Sequence, residues 1–154
     1  MQIVAGHTPE NLPAVRELFV EYAKATGLDF CFQNFDQELA ELPGKYAPPS
    51  GRLFLALNGE LSVGCVALRK LEDSFCEMKR LYVRPQFRKQ STGRRLAEAI
   101  IVAAREIGYE RMRLDTLASM KPAIALYESL GFRRIDAYYQ NPIPEVVYLE
   151  LALR

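Results

Sequence analysis

The 154-residue sequence holds one histidine, His7, and three cysteines, Cys31, Cys65 and Cys76, with no CxxC pair among them. A Ser-His-Asp or Cys-His nucleophile system would have to rest on His7 alone, as would any histidine-rich metal site. His7 lies in GHTPE, just before an expected helix, where a capping or surface role suits it better. Three widely spaced cysteines build neither a disulfide framework nor a zinc cluster. They read as small buried residues in a chain that works in a reducing cytoplasm, and no metal is expected. Nothing near the N-terminus joins a basic stretch to an apolar one as a secretory signal does. No apolar run nears the ~20 residues of a membrane span, so no membrane partner is expected. Large net charge is missing too, at +1 overall. Any anion-binding site must therefore be local.

What is present is ordinary globular material, 49% hydrophobic and 25% charged, enough for one domain over residues 1–154. QIVA at 2–5 reads as a strand. Thr8-Pro9-Glu10 reads as an N-cap, a first-turn proline and an early acid, opening a helix that ends at Gly27. DFCFQNF is an aromatic connector, and FDQELAELPG a short helix. RLFLAL and LSVGCVAL flank Asn58-Gly59-Glu60 as a hairpin. FCEMKRLYV is a third strand, ended by Pro85. A helix from Thr92 to Gly108 carries an apolar stripe of Leu96, Ala99, Ile100, Ala103 and Ile107. RMRLDTL is a strand, PAIALYESLGF a helix closed by Gly131, and IDAYY and VVYLELAL are two last strands around QNPIPE. A hairpin feeding β-α-β-α predicts a mixed α/β sheet of about six to seven strands with about four helices, and a parallel strand–helix–strand unit over 76–116.

The most unusual stretch is YVRPQFRKQSTGRRL, residues 82–96. Between Lys79 and Arg95 seven of the seventeen residues are Lys or Arg, and none is acidic. Cations are disfavoured where a helix begins, because its first N–H groups lack partners and its dipole is positive there. Arg94 or Arg95 stands where a capping box would put Glu or Gln. A diphosphate would reverse this balance by accepting backbone N–H bonds and pairing with Arg88 or Lys89. A solvated basic face is the plain alternative. Nucleic acid ranks low, since only Phe87 interleaves the cations and the whole chain is near neutral.

CEMKRLYVRPQFRKQSTGRRLAEAI, followed by LYESLGF, resembles the GNAT superfamily of acyl-CoA-dependent N-acetyltransferases, and the element order matches over nearly the whole chain. The family's phosphate-loop pattern, Arg/Gln-x-x-Gly-x-Gly/Ala, falls on Arg88-Lys89-Gln90-Ser91-Thr92-Gly93. Ser91 stands where the first glycine is usual, and Lys89 where glycine is frequent. The serine either crowds a diphosphate, or its hydroxyl caps the helix or bonds a phosphate oxygen. Met120 replaces an asparagine that relatives often carry seven positions before the tyrosine.

The resemblance implies acetyl transfer from acetyl-CoA to a primary amine. Leu81 and Val83 would offer backbone contacts to the thioester and pantetheine arm, and residues 88–94, including Arg94, would hold the phosphates. Tyr127 of LYESLGF corresponds to the family's tyrosine near the CoA sulfur, and a phenol with a reference pKa of ~10 suits protonation of a thiolate. Its plain reading is a core aromatic. Glu77 is the first candidate base and Asp115 the second, unless the amine arrives neutral; Glu77 could equally be a partner for Lys79 or Arg80. A bulge in the strand would reverse which side chains face the site. Acceptor selection is expected in the connector 29–35 and in QNPIPE, with Asp29, Asp136 and Glu145 as attractors of an ammonium group and Phe30 and Phe32 as lids over a core edge. A CoA-binding module with little catalysis, and an enzyme acting on a protein N-terminus or lysine, are the other readings. Monomer and homodimer both fit.

Overall fold

The computed structural model describes residues 1–27, 34–141 and 143–154. Its strands are β1 (Gln2–Ala5), β2 (Arg52–Asn58), β3 (Leu61–Lys70), β4 (Phe75–Val83), β5 (Arg111–Leu117), β6 (Arg133–Ile135) and β7 (Val146–Ala152). Its helices are α1 (Leu12–Thr26), α2 (Phe35–Glu41), α3 (Thr92–Ile107) and α4 (Lys121–Ser129). This is the order expected from the sequence. All seven strands join one mixed sheet in the order β1-β2-β3-β4-β5-β7-β6, antiparallel except for β4 against β5.

The sheet is covered on both faces, which explains why β2 and β3 read as continuous apolar runs. On one face Val15, Leu18 and Phe19 of α1 pack on Leu53, Leu55, Cys65 and Ala67. On the other, Leu96, Ala97, Ile100 and Ala104 of α3 pack on Val66, Leu68, Met112 and Leu149. Of the expected stripe on α3, Leu96, Ile100 and Ala103 are buried while Ala99 and Ile107 are half-buried, and Ala97, Ile101 and Ala104 join the buried face. Leu96 and Ile100 are fully buried, each contributing ~1.5–3 kcal/mol.

Three local expectations need correction. Helix α1 begins at Leu12, with Pro13 in its first turn, rather than at Thr8. Residues 8–11 form a preceding turn in which the Thr8 carbonyl accepts the Asn11 and Leu12 N–H groups, both at 3.0 Å. The Thr8 hydroxyl is buried without a hydrogen-bond partner, so it caps nothing. In the hairpin, Asn58 pairs with Leu61, leaving Gly59-Glu60 as the turn, and the left-handed angle (φ 64°) falls on Gly59. Of IDAYY only Ile135 belongs to a strand; residues 136–140 leave the sheet.

Two irregularities in β4 shape the interior. Ala67 pairs with Lys79 but Cys65 with Tyr82, so β4 carries one extra residue, and Arg80 adopts a φ of 60° there. Cys76, Met78, Leu81 and Val83 consequently face α3, Leu81 following Met78 by three positions rather than two, while Tyr82 faces α1. The parallel pairing of β4 with β5 stops at Glu77 and Arg113. Beyond that point β4 continues to Val83 and β5 to Leu117 with no pairing between them. The strands part, and a cleft opens in the middle of the sheet.

Candidate active site

Glu77 closes the paired end of this cleft and is 1% exposed. Its Oε1 accepts Arg69 Nε at 2.8 Å and lies 3.7 Å from Lys79 Nζ; its Oε2 accepts the Tyr138 hydroxyl at 2.6 Å. Burial pushes the Glu77 carboxyl up, but Lys79, Arg69 and the Tyr138 bond outweigh it and hold the group below its ordinary value. Burial also draws the Lys79 ammonium down, against the pull of Glu77.

One step further into the opening, Lys79 on β4 and Asp115 on β5 occupy the next positions on that face. Asp115 Oδ2 accepts the Tyr139 hydroxyl and, at 3.4 Å, the Asn141 amide. The same amide donates to the Tyr139 oxygen at 2.9 Å, and the Asn141 carbonyl oxygen accepts the Ile143 N–H at 2.9 Å. The rings of Tyr138, Tyr139 and Tyr148 meet edge to face or tilted, at 5.4–5.7 Å. Ala137, Tyr139, Gln140, Asn141 and Tyr148 line an open cavity of about 620 Å³ beside them. Sequence reasoning passed over these tyrosine hydroxyls. In a strand, neighbouring tyrosines would point to opposite faces; because residues 136–140 are not in a strand, both reach carboxylates of the cleft.

At the other end of β4, the basic stretch divides into two sets. Arg80 donates from Nε and Nη2 to Glu38, each at 3.0 Å, and its guanidinium lies over the Phe35 ring. Arg84 binds Glu21 at 2.6 Å, Glu17 at 3.0 Å and the Ser62 carbonyl at 2.7 Å. By contrast, Arg88, Lys89, Arg94 and Arg95 pair with no carboxylate among the described residues. Arg88 donates to the Val83 carbonyl at 2.8 Å, Arg94 to the Ser129 hydroxyl and Arg95 to the Met1 carbonyl. These four cations flank the start of α3 in sequence, where the backbone N–H groups of residues 92–94 bond to no described residue.

Lys89 and Ser91 both have left-handed backbone, with φ of 68° and 63°. That conformation is the reason glycine is usual at both positions. Ser91 precedes α3, yet its hydroxyl makes no capping bond, so the capping role envisaged for it is corrected. Gln90 is exposed and Thr92 buried. Gly93 is not demanded by the protein itself. A Cβ there would meet Leu126 and Val83 at 3.8 Å, ordinary contact.

Tyr127, on α4, is 7% exposed and stacks edge-on against Phe132 at 5.7 Å. Its hydroxyl bonds to no described residue. Burial, with smaller contributions from Tyr22 and Asp115, pushes the phenol above its ordinary value. Met120 precedes α4, its sulfur 3.7 Å from the Thr116 hydroxyl. Leu81 and Val83 lie on the stretch of β4 that has no β5 partner. Asp136 and Glu145 are exposed. Asp29, Phe30, Cys31 and Phe32 fall outside the described residues, as does most of the connector. Among the described residues no three His, Cys, Asp or Glu side chains gather as a metal site would require, and no helix is long and apolar enough to cross a membrane.

The Acetyltransferase (GNAT) family profile matches residues 12–132. The chain belongs to the GNAT acetyltransferase family. It is 42% identical, over 99% of its own length and 95% of the relative's, to an uncharacterized N-acetyltransferase of Schizosaccharomyces pombe. A GNAT-family acetyltransferase of Staphylococcus aureus has the same fold, with a TM-score of 0.83 at 19% identity over 99% of each chain. A GNAT acetyltransferase of Elizabethkingia anophelis, solved with acetyl-CoA bound, matches 78% of this chain and 82% of its own, with a TM-score of 0.61 and 25% identity. The chain is therefore an acyltransferase with the GNAT fold. The expected mixed sheet and helix count agree with this membership.

Proposed function

We propose that this GNAT domain transfers an acetyl group from acetyl-CoA to a primary amine of a small-molecule or amino-acid-like acceptor, by direct attack in a ternary complex. The reading rests above all on one feature: the cleft between β4 and β5 leads to a helix N-terminus flanked by cations that no carboxylate among the described residues answers. Arg88, Lys89, Gln90, Ser91, Thr92, Gly93 and Arg94 are the residues suited to the phosphates of acetyl-CoA. The free N–H groups of 92–94 supply donors, Arg88 and Lys89 supply charge, and Gly93 permits close approach. The unpaired edge of β4 at Leu81 and Val83 offers backbone groups to the pantetheine arm and the thioester oxygen.

Bound in this way, acetyl-CoA supplies an activated acyl carbon. The attacking nitrogen must be neutral, and the departing sulfur needs a proton. Tyr127 is the proposed donor: a buried phenol stays protonated at neutral pH and holds its hydrogen ready for a thiolate. Of the two candidate bases, Glu77 has both oxygens engaged and its proton affinity lowered by Lys79 and Arg69, which suits it to polarising the cleft more than to taking a proton. Asp115 keeps an oxygen free of described partners, which favours it as the group that meets the amine. The buried thiols of Cys65 and Cys76 fit work in a reducing cytoplasm.

Calorimetry with acetyl-CoA, followed by a thiol-release screen across amines and peptides, tests this. Micromolar binding and turnover of at least one amine are expected. Absence of binding at high micromolar cofactor would overturn the reading, and binding without turnover of any acceptor would favour a CoA-binding module. Ser91→Gly isolates the unusual position in the turn. Relief of left-handed strain of ~1 kcal/mol is partly offset by the greater freedom of glycine in the unfolded chain. The expected result is a small rise in Tm together with several-fold tighter acetyl-CoA binding, as the side chain leaves the cradle. Weaker binding would instead assign the hydroxyl a phosphate bond.

A further inference from the structure

Residues 137–141 lie across the opening of the cleft because consecutive tyrosines hold opposite walls: Tyr138 donates to Glu77 on β4 and Tyr139 to Asp115 on β5. The two carboxylates differ in what remains open to a ligand. Glu77 is enclosed, with Arg69 and Lys79 on one oxygen and Tyr138 on the other. Asp115 is half-buried; its Oδ2 takes Tyr139 and Asn141, while its Oδ1 has no hydrogen-bond partner among the described residues. A carboxylate oxygen free on one side and bordered by phenol rings suits an ammonium group, which gains a charge-assisted bond and the aromatic field together.

Placement agrees with chemistry. Tyr139 and Asn141, which bond to Asp115, also line the cavity together with Ala137, Gln140 and Tyr148, so the carboxylate borders it. An amine on Asp115 therefore faces the cleft, with its remaining atoms in the cavity. Among the described residues no charged side chain lines that cavity. Four cations of this face are within reach of a carboxylate already: Arg69 and Lys79 at Glu77, Arg80 at Glu38, and Arg113 at Glu150. A carboxylate on the acceptor would have to compete for one of them and would sit beside the negative Asp115. The rings of Tyr139 and Tyr148 accept an aromatic or alkyl arm, and the amides of Gln140 and Asn141 accept a hydroxyl on it.

We propose that Asp115, oriented by Tyr139 and Asn141, is the acceptor-ammonium subsite, and that the cavity beside it takes the arm of a primary amine carrying no carboxylate. This rests on the acetyltransferase reading above and narrows its acceptor from amino-acid-like compounds to simple aryl- or alkylamines. Asp115 touches the substrate; Tyr139 is a positioning residue acting through it.

The test is calorimetry with phenethylamine and phenylalanine, which differ by one carboxylate, titrated into the full chain saturated with CoA so that no turnover occurs. Phenethylamine is expected to bind, with phenylalanine weaker by about tenfold or more, since an unpaired carboxylate near Asp115 is repelled. Asp115→Asn is expected to weaken phenethylamine about tenfold by removing the charge from the bond. Tyr139→Phe, which keeps the ring, should weaken it about threefold, the loss of a single orienting hydrogen bond. CoA affinity should stay within about twofold of wild type in both, because neither residue lies at the phosphate turn. Under turnover, Tyr139→Phe should raise KM for phenethylamine more than it lowers kcat, a split that a general loss of packing would not produce. Equal or tighter binding of phenylalanine, no binding of phenethylamine at millimolar concentration, or wild-type phenethylamine affinity in Asp115→Asn would each overturn the proposal. Failure of CoA itself to bind would overturn the acetyltransferase reading instead. In that event, titrating the amine into the protein alone still reads the Asp115 subsite.

Discussion

Glu77→Ala is expected to lower the unfolding free energy by about 3 kcal/mol, the scale for breaking a buried ion pair by removing one partner. The change leaves Lys79 and Arg69 without their shared carboxylate and the Tyr138 hydroxyl without its acceptor. The value lies at the low end because the Arg69 side chain keeps 26% of its exposure and can turn to water, whereas Lys79 keeps 12%. For a chain of this length such a loss corresponds to a fall in Tm of about 10 °C. Glu77→Gln should cost less, since an amide oxygen still accepts from Arg69 or Tyr138. The sign of the pH dependence follows from the lowered carboxyl of the folded state. Its contribution is complete above the ordinary carboxyl value of 4.5 and is lost as pH falls through the lower folded value. Wild type should therefore lose stability below about pH 4.5 more steeply than Glu77→Gln does. Thermal melts between neutral and acid pH measure both effects. Parallel profiles, or an alanine variant as stable as wild type, would show that the cluster carries no net stabilisation.

Tyr127→Phe should reduce kcat by about 100-fold, the lower range for loss of a positioned general acid. The fold should barely change, because the Tyr127 hydroxyl bonds to no described residue and its ring contact with Phe132 survives. Acetyl-CoA affinity should stay close to wild type for the same reason. Steady-state kinetics with an active amine, set beside a thermal melt of the same variant, separate the two contributions. An unchanged kcat would remove Tyr127 from the proton transfer and return it to the role of a core aromatic.

The element order was legible because hydrophobic spacing and turn residues are local. Gly27 ends α1 and Gly108 follows α3, both with left-handed backbone, and Gly59 turns the hairpin. The start of α1 was misread because Thr8-Pro9-Glu10 has the composition of a helix opening. Whether such a run caps a helix depends on where its hydroxyl points, and Thr8 turns inward. The odd charge of the basic stretch was legible, but not its division. Arg80 and Arg84 find Glu38, Glu17 and Glu21 across the fold, tens of residues away in sequence. Arg88, Lys89, Arg94 and Arg95 find no such partners among the described residues. The left-handed backbone at Lys89 and Ser91 could be expected only through the family pattern, since neither residue type signals it.

By itself, the sequence determined what depends on neighbours along the chain: the elements and their order, the apolar faces that bind α1 and α3 to the sheet, and the cation-rich turn before α3. Tertiary structure alone decided what depends on pairing across it. The bulge at Arg80 set which β4 side chains face the cleft, because register is a relation between strands. The end of β4–β5 pairing after Glu77 and Arg113 opened the cleft itself. The departure of residues 136–140 from the sheet then let two adjacent tyrosines reach two carboxylates on different strands. A hydrogen bond spanning sixty residues leaves no mark in local periodicity; it exists only once the sheet has brought its ends together.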